Sequence, residues 1–296
     1  MIVVTGATGK TGSIITDMLL EKGQKVRAIG RSSERLKRFR DKGAEIAVGD
    51  QSDPVFLARA FSNADSAYLL IPPKFDVLDI RVFYNVMGDA AVAAIKDSGV
   101  KKVVLLSSLG AELEFGTGPV IGLHDVEEKL KWLIGVDTAI LRPGYFMENV
   151  LGTIPLIKNQ RINGGSMVPN APVAMIATRD IAGEAIKLLT GKAFLGVSII
   201  DLFGDRLTYW EATRLIGKAI GIPDLPYVQF SDEDAVAAFR KMGLSENVAL
   251  SYVELSRAIS EGKVKPTQID PEKPNTPTKF NQFAEEVFRP AYKMAV

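Results

Sequence analysis

Three glycines, Gly6, Gly9 and Gly12, constrain this chain more than any other feature, because they join a short apolar run to an amphipathic one. Met1–Thr5 reads as a buried strand ended by glycine, and Ser13–Glu21 sets Ile14, Ile15, Met18 and Leu19 at helical spacing before Gly23 stops it. Glycine is needed at such a junction because the chain turns tightly, an anion must approach the backbone, and helix packs closely on strand. The helix start then offers free N–H groups and a positive dipole end to phosphate. This context predicts that Gly6, Thr8, Gly9, Lys10, Thr11 and Gly12 cradle a dinucleotide pyrophosphate. A tight turn without a ligand is the plain alternative.

The rest of the first half repeats strand and helix. Strands are expected at Val26–Ile29, Glu45–Val48, Ala67–Ile71 (halted by Pro72 and Pro73) and Lys102–Ser107, with helices at Glu34–Lys42, Val55–Phe61 and Ile80–Asp97. The alternation predicts an α/β fold, a Rossmann-type doubly wound parallel sheet covered on both faces. Asp125–Ile134 and Ile181–Leu189 read as further helices, and Thr138–Leu141 and Val197–Leu202 as further strands. Residues 1–150 are expected to form an NAD(P)-binding domain. Residues 151–296 should form a smaller, mostly helical substrate region, with the chain returning to the Rossmann core over about 173–205. Asn159–Pro172 reads as a loop, Thr208 and Glu211 as a capping box opening a helix to Ile220, and 264–278 as a link to a last helix, Lys279–Val287.

The second strand decides which dinucleotide is expected. A carboxylate about 20 residues past the glycines holds the ribose of NAD, but the strand ends here in Ile29-Gly30-Arg31. A guanidinium suits a 2′-phosphate, because its planar fork makes paired charge-assisted hydrogen bonds to phosphate oxygens. Arg31 therefore predicts NADP (NADPH), with Lys10 as a second positive charge. Arg35, Lys37, Arg38 and Arg40 read as a solvated basic helix face. Asp50 and Gln51, after the third strand, are positioned for the adenine amino group, with a turn as the competing reading.

Composition removes several classes of chemistry. There is no cysteine and only one histidine, His124, so thiolate nucleophiles, disulfides, Cys-ligated metal and a histidine metal cluster are all excluded. A net charge of +1 gives no bulk field for nucleic acid or an anionic membrane, and no apolar run is long enough to span a bilayer. Without a secretory leader pattern before Met1–Thr5, a cytoplasmic protein is expected.

The opening TGATGKTG, the VRAIGR strand end, the GD after the third strand and the LRPGYFMEN segment together resemble the NmrA-like group of atypical short-chain dehydrogenase/reductases, over about residues 1–260. The stretch His124-x-x-x-Glu128 ahead of Leu141-Arg142-Pro143-Gly144 is similar to that of bacterial NADPH-dependent quinone reductases of the group. The resemblance implies that Ile71, Pro72 and Ser107 line the nicotinamide side and Tyr145–Asn149 the substrate side. One departure matters. None of the seven tyrosines, at 68, 84, 145, 209, 227, 252 and 292, has lysine four residues later, so the usual Tyr-x-x-x-Lys acid/base pair is absent.

A hydride acceptor that needs little acid assistance remains. A quinone-like or other electron-poor small molecule fits, with catalysis mainly by positioning. His124 and Tyr145 are the catalytic candidates. His124 is either a hydrogen-bond donor to the acceptor or a residue tied to nearby backbone, and Tyr145 either orients substrate or packs. Lys129 is either drawn toward the cofactor or a solvated lysine. The competing reading is a redox sensor that binds the dinucleotide and acts on a regulatory protein partner; a homodimer through the Ile80–Asp97 helix also stays open.

Overall fold

The computed structural model describes residues 1–191 and 194–295. Strands β1 (Ile2–Val4), β2 (Val26–Gly30), β3 (Glu45–Val48), β4 (Ser66–Leu70), β5 (Lys102–Leu106) and β6 (Asp137–Pro143) come first in the chain. The short strands β7 (Tyr145–Phe146), β8 (Asn163–Gly165) and β9 (Pro172–Ile176) follow, then β10 (Val197–Leu202), β11 (Asp205–Thr208) and β12 (Tyr227–Gln229). Seven of these make one sheet in the order β10-β6-β5-β4-β1-β2-β3, every neighbouring pair parallel. The chain runs outward from β1 through β2 and β3, then crosses back to β4 on the other side. That reversal opens a crevice at the carboxyl ends of β1 and β4, where doubly wound folds bind ligands.

Both sheet faces are buried, which is why the strands read as apolar runs. Val3, Ala67, Leu69, Val103 and Leu105 point to one core, shared with helices α3 (Pro54–Phe61), α4 (Ile80–Ser98) and α5 (Val120–Lys131). Their strand neighbours Ile2, Val4, Tyr68, Val104 and Leu106 point to the other. That second core is covered by α1 (Lys10–Glu21), α2 (Ser33–Asp41) and, beyond a short α6 (Ile154–Gln160), α7 (Thr178–Thr190). The doubly wound parallel architecture is as expected. Within 173–205, α7 packs beside α1 and β10 pairs with β6, while β9 joins a separate sheet between β7 and β11.

Local boundaries differ in places. Helix α5 begins at Val120, five residues ahead of the expected Asp125, and ends at Lys131 rather than Ile134. Pro119 stands at its N-cap, where a fixed φ suits helix entry and a missing N–H is not felt. The expected loop Asn159–Pro172 contains β8, which pairs with β12. Helices α8 (Tyr209–Ile220), α9 (Asp232–Lys241) and α10 (Glu246–Ser260) then build the C-terminal region; the last two lie where no element was assigned. The linker 264–278 is irregular but tied down: Asp201 accepts from the amides of Thr267 and Gln268, and Asn275 exchanges bonds with Phe203. A third core holds Met147, Ile157, Met175, Ile216, Phe280 and Phe288.

Candidate functional site

The crevice begins at the glycine loop. Gly6 adopts a φ of +59°, in the left-handed region glycine favours, and its carbonyl accepts from the Gly9 amide at 2.8 Å. A Cβ on Gly12 would sit 2.3 Å from that same carbonyl, so the close crossing of loop and helix needs glycine there. Gly9 caps α1 without a side chain, whereas α2, α3, α4 and α8 are all capped by Ser, Asp or Thr. The first-turn amides of α1 are thus left free for an anion. Thr11 is buried and its hydroxyl meets that of Tyr68 at 3.0 Å. Thr8 receives a bond on its carbonyl from Arg35 at 3.3 Å, so Arg35, exposed on α2 as expected, also reaches back to the loop. Arg38 and Lys42 do pair outward, with Asp17.

At the β2 and β3 ends lies an open cleft of about 560 Å³, lined among others by Arg31, Asp50, Gln51, Pro72 and Lys74. Asp50 accepts from both the amide and hydroxyl of Ser52. Those bonds, helped by the charges of Arg31 and Lys74, hold its carboxyl below the usual range. Gln51 is only 7% exposed, and its Oε1 has no hydrogen-bond partner. A buried acceptor left empty is unfavourable unless a ligand fills it. The uncapped helix, the glycine cradle and this orphan oxygen all fit a dinucleotide. Lys74 carried no sequence signal beyond its charge.

The other half of the crevice is walled differently. Ile71 is buried and Pro72 partly exposed just past β4. Ser107, just past β5, is buried and donates to Glu127 Oε1 at 2.5 Å. Glu127 in turn takes a forked pair from Arg142, Nε at 3.0 Å and the terminal nitrogen at 2.6 Å. Arg142 also reaches Glu112 at 3.3 Å, whose carboxyl is held above its ordinary range chiefly by burial. Glu148 binds the amide and hydroxyl of Thr178 at the start of α7, pinning the segment after β6. His124 Nδ1 lies 2.8 Å from the Ala111 carbonyl, and Lys129 turns to Asp89 on α4, away from the crevice.

Tyr145, partly exposed just past β6, opens an aromatic wall that sequence did not reveal. Its ring meets Tyr209 edge-on at 5.8 Å, and Tyr209 lies 5.5 Å from Tyr227. The ring of Tyr252 on α10 has its centroid 6.1 Å from those of both Phe75 and Phe239. Burial, with the nearby Tyr145 hydroxyl adding to it, pushes Tyr252 up to about 12. Burial also raises Tyr145 and Tyr209 above the ordinary phenol value, so these groups stay protonated and neutral around neutral pH. Among the described residues no group of His, Asp or Glu is arranged to hold a metal, and no helix is long and apolar enough to cross a membrane.

The chain is similar in sequence and fold to known proteins. The chain is 27% identical to the NAD(P)H azoreductase of Xenophilus azovorans over 261 residues, 86% of each chain. It is 30% identical over 223 residues, 75% of each, to the (4-alkanoyl-5-oxo-2,5-dihydrofuran-3-yl)methyl phosphate reductase of Streptomyces griseus. The NADPH complex of the NADPH-dependent quinone oxidoreductase of Escherichia coli has the same fold, with a TM-score of 0.81 at 22% identity over 97% of this chain and 100% of that one. The NmrA-like family profile matches residues 1–286, and with the glycine loop, sheet order and crevice in place, the chain belongs to the NmrA-like family.

Proposed function

We propose that this protein is an NADPH-dependent reductase of a flat, electron-poor small molecule, a quinone-like or azo compound. The observation that carries the reading is the dinucleotide cradle, with its glycine loop, uncapped α1 and orphan Gln51 oxygen, followed just past β6 by a tyrosine cluster that lacks the local tyrosine–lysine pair. Gly6, Thr8, Gly9, Lys10, Thr11 and Gly12 would hold the pyrophosphate. Asp50 and Gln51 would take the adenine, and Ile71, Pro72 and Ser107 would border the nicotinamide. Arg31 would pair with the 2′-phosphate, with Arg35 and Lys74 adding to the positive field around it. When bound, the reduced nicotinamide supplies a hydride.

The chain's own residues position the acceptor and exclude water. Tyr145, Tyr227, Tyr252 and Phe75, each at least partly exposed, would offer ring faces and edges on which a planar acceptor stacks. Tyr145, just past β6, would be the group that meets the acceptor's developing charge. His124 is given the role of holding the Ala111 loop through its ring nitrogen.

The test is calorimetric titration of NADPH and NADH into the wild type and Arg31→Ala, with cofactor oxidation followed against a benzoquinone and an azo dye. Arg31→Ala should weaken NADPH about 10- to 100-fold and leave NADH within about twofold, the loss of a charge-assisted phosphate contact. Equal affinity for both nucleotides in the wild type, or binding with no acceptor-dependent oxidation, would overturn the proposal.

A further inference from the structure

A serine hydroxyl has one proton to give and two lone pairs to fill. Ser107 gives its proton inward, to Glu127 Oε1 at 2.5 Å, and what stands behind Glu127 settles the direction of that bond. Arg142 meets Glu127 as a buried ion pair, with one guanidinium nitrogen on each carboxylate oxygen, at 3.0 and 2.6 Å. A guanidinium only donates and an ionised carboxylate only accepts, so the proton between Ser107 and Glu127 belongs to the serine. The backbone places this serine at the crevice. Leu70 pairs with Leu106 and Leu106 with Leu141, so Ser107 takes the next rung, between Ile71 past β4 and Arg142 near the end of β6. Its amide is fixed by the Leu141 carbonyl at 2.8 Å. Val103 and Leu105 face the α5 core, and Ser107 continues that alternation out of the carboxyl end of the sheet. Among the described residues no donor reaches its Oγ. The oxygen is left with acceptor capacity and no proton to offer.

We infer that Ser107 is a hydrogen-bond acceptor for the reducible substrate, and that it favours electron-poor molecules carrying an N–H or O–H beside the reducible group. The inference rests on the reductase reading and narrows its substrate class. A bare carbonyl or azo nitrogen turned toward Ser107 sets lone pair against lone pair. The mismatch grows as hydride transfer makes that atom anionic. The substrate therefore lies with its amino or hydroxyl group on Ser107, and with the atom that gains charge on the other side, toward Tyr145 past β6. An amino-substituted quinone or a hydroxy-substituted azo compound meets both conditions. Ser107 is thus a specificity-determining residue, and the Glu127–Arg142 pair sets its polarity.

The test compares two quinones of nearly equal size: an aminonaphthoquinone, which carries N–H donors beside one carbonyl, and a methylnaphthoquinone, which carries none. With NADPH as reductant, kcat/KM is measured on both for the wild type, Ser107→Ala and Ser107→Thr. Only the amino-to-methyl ratio is compared between proteins, which cancels the intrinsic reactivity of each quinone and any loss of folded enzyme. Ser107→Ala should lower that ratio about three- to tenfold, the scale of one neutral hydrogen bond, and Ser107→Thr, which keeps the oxygen, should hold it within about twofold of wild type. A ratio unchanged or raised in Ser107→Ala would overturn the inference, since a serine that donated to a carbonyl would favour the methyl compound. The acetylpyridine analogue of NADPH, which lacks the carboxamide N–H, supplies the other control. If Ser107→Ala erases discrimination between NADPH and this analogue while the quinone ratio stays put, the serine serves the cofactor and the inference fails. Absence of turnover on both quinones would sink the reductase reading instead. Equilibrium titration of the two quinones into the NADP+ complex would then read the same ratio and decide the role of Ser107.

Discussion

Arg142→Met removes one member of an ion pair that has no water to fall back on. Arg142 is 2% exposed and Glu127 is fully buried, joined by the fork at 2.6 and 3.0 Å. After the substitution Glu127 keeps the Ser107 hydroxyl at 2.5 Å and has Lys131 only at 3.7 Å. Breaking a buried pair from one side leaves an uncompensated charge and costs about 3–5 kcal/mol. At roughly 2.1 cal/mol/K of unfolding entropy per residue, 296 residues give about 0.6 kcal/mol/K, so the midpoint should fall by about 5–8 °C. Differential scanning calorimetry reads this directly. The exposed pair Arg240–Glu246 is the control, since Arg240→Met should cost less than about 1 kcal/mol and move the midpoint less than about 2 °C. Glu127→Leu with Arg142→Met should regain most of the loss, because an apolar pair of similar size carries no desolvation penalty. A single variant within about 2 °C of wild type, or a double variant less stable than the single, would refute the reasoning.

Two further outcomes follow from the same coordinates. Gly12→Ala should abolish measurable NADPH binding in calorimetry and lower stability by about 1–3 kcal/mol, because its Cβ meets the Gly6 carbonyl at 2.3 Å and must push the loop off the helix. Asp125 accepts two bonds from Arg81 and one from Asn85, and the Arg81 bonds hold its carboxyl below the ordinary aspartate value. Its stabilisation is therefore full above that value and is lost as pH falls through the lowered one. Asp125→Asn should cost about 1 kcal/mol in urea titrations near neutrality, with the difference closing as pH drops below the ordinary carboxylate range.

The parts legible in sequence were those whose cause is local. The strand–glycine–helix junction announces itself because tight turning, close approach and an open helix start all demand glycine within seven residues of one another. The parallel sheet was legible because strands buried on both faces become apolar throughout. Helices α9 and α10 were missed although Ser231 and Ser245 cap them and acidic residues follow each cap. Helix α9 buries only Ala235, too thin a face to stand out from its charge, whereas α10 sets Val248, Ala249, Val253, Ala258 and Ile259 at helical spacing and was open to the same reasoning as α1. The Glu127–Arg142 pair was beyond reach for a different reason. Glu127 and Glu128 are adjacent, and only the phase of α5, set by its start at Val120, decides which faces the sheet. Tyr209 read as the first residue after a capping threonine, with nothing to say that its ring would cross to Tyr145.

The placement of α5 explains why the chemistry is sought after β6. Every polar side chain in its middle is committed to bracing. His124 holds the Ala111 carbonyl, Asp125 takes Arg81 and Asn85, and Glu127 takes Arg142. Glu128 pairs with Lys131, and Lys129 pairs with Asp89. A helix engaged in this way ties the end of β5, β6 and α4 together, and its middle side chains are spent on those contacts. Tyr145 sits instead on a segment fixed at both ends, by Arg142 in the core and by Glu148, which accepts from Thr178 at the start of α7. A rigid carrier of this kind places a hydroxyl with the small error that proton delivery tolerates. Substitutions along α5 should therefore read out in stability and Tyr145→Phe in turnover. A substitution on α5 that lowered kcat at unchanged melting temperature would show that this division of labour is drawn in the wrong place.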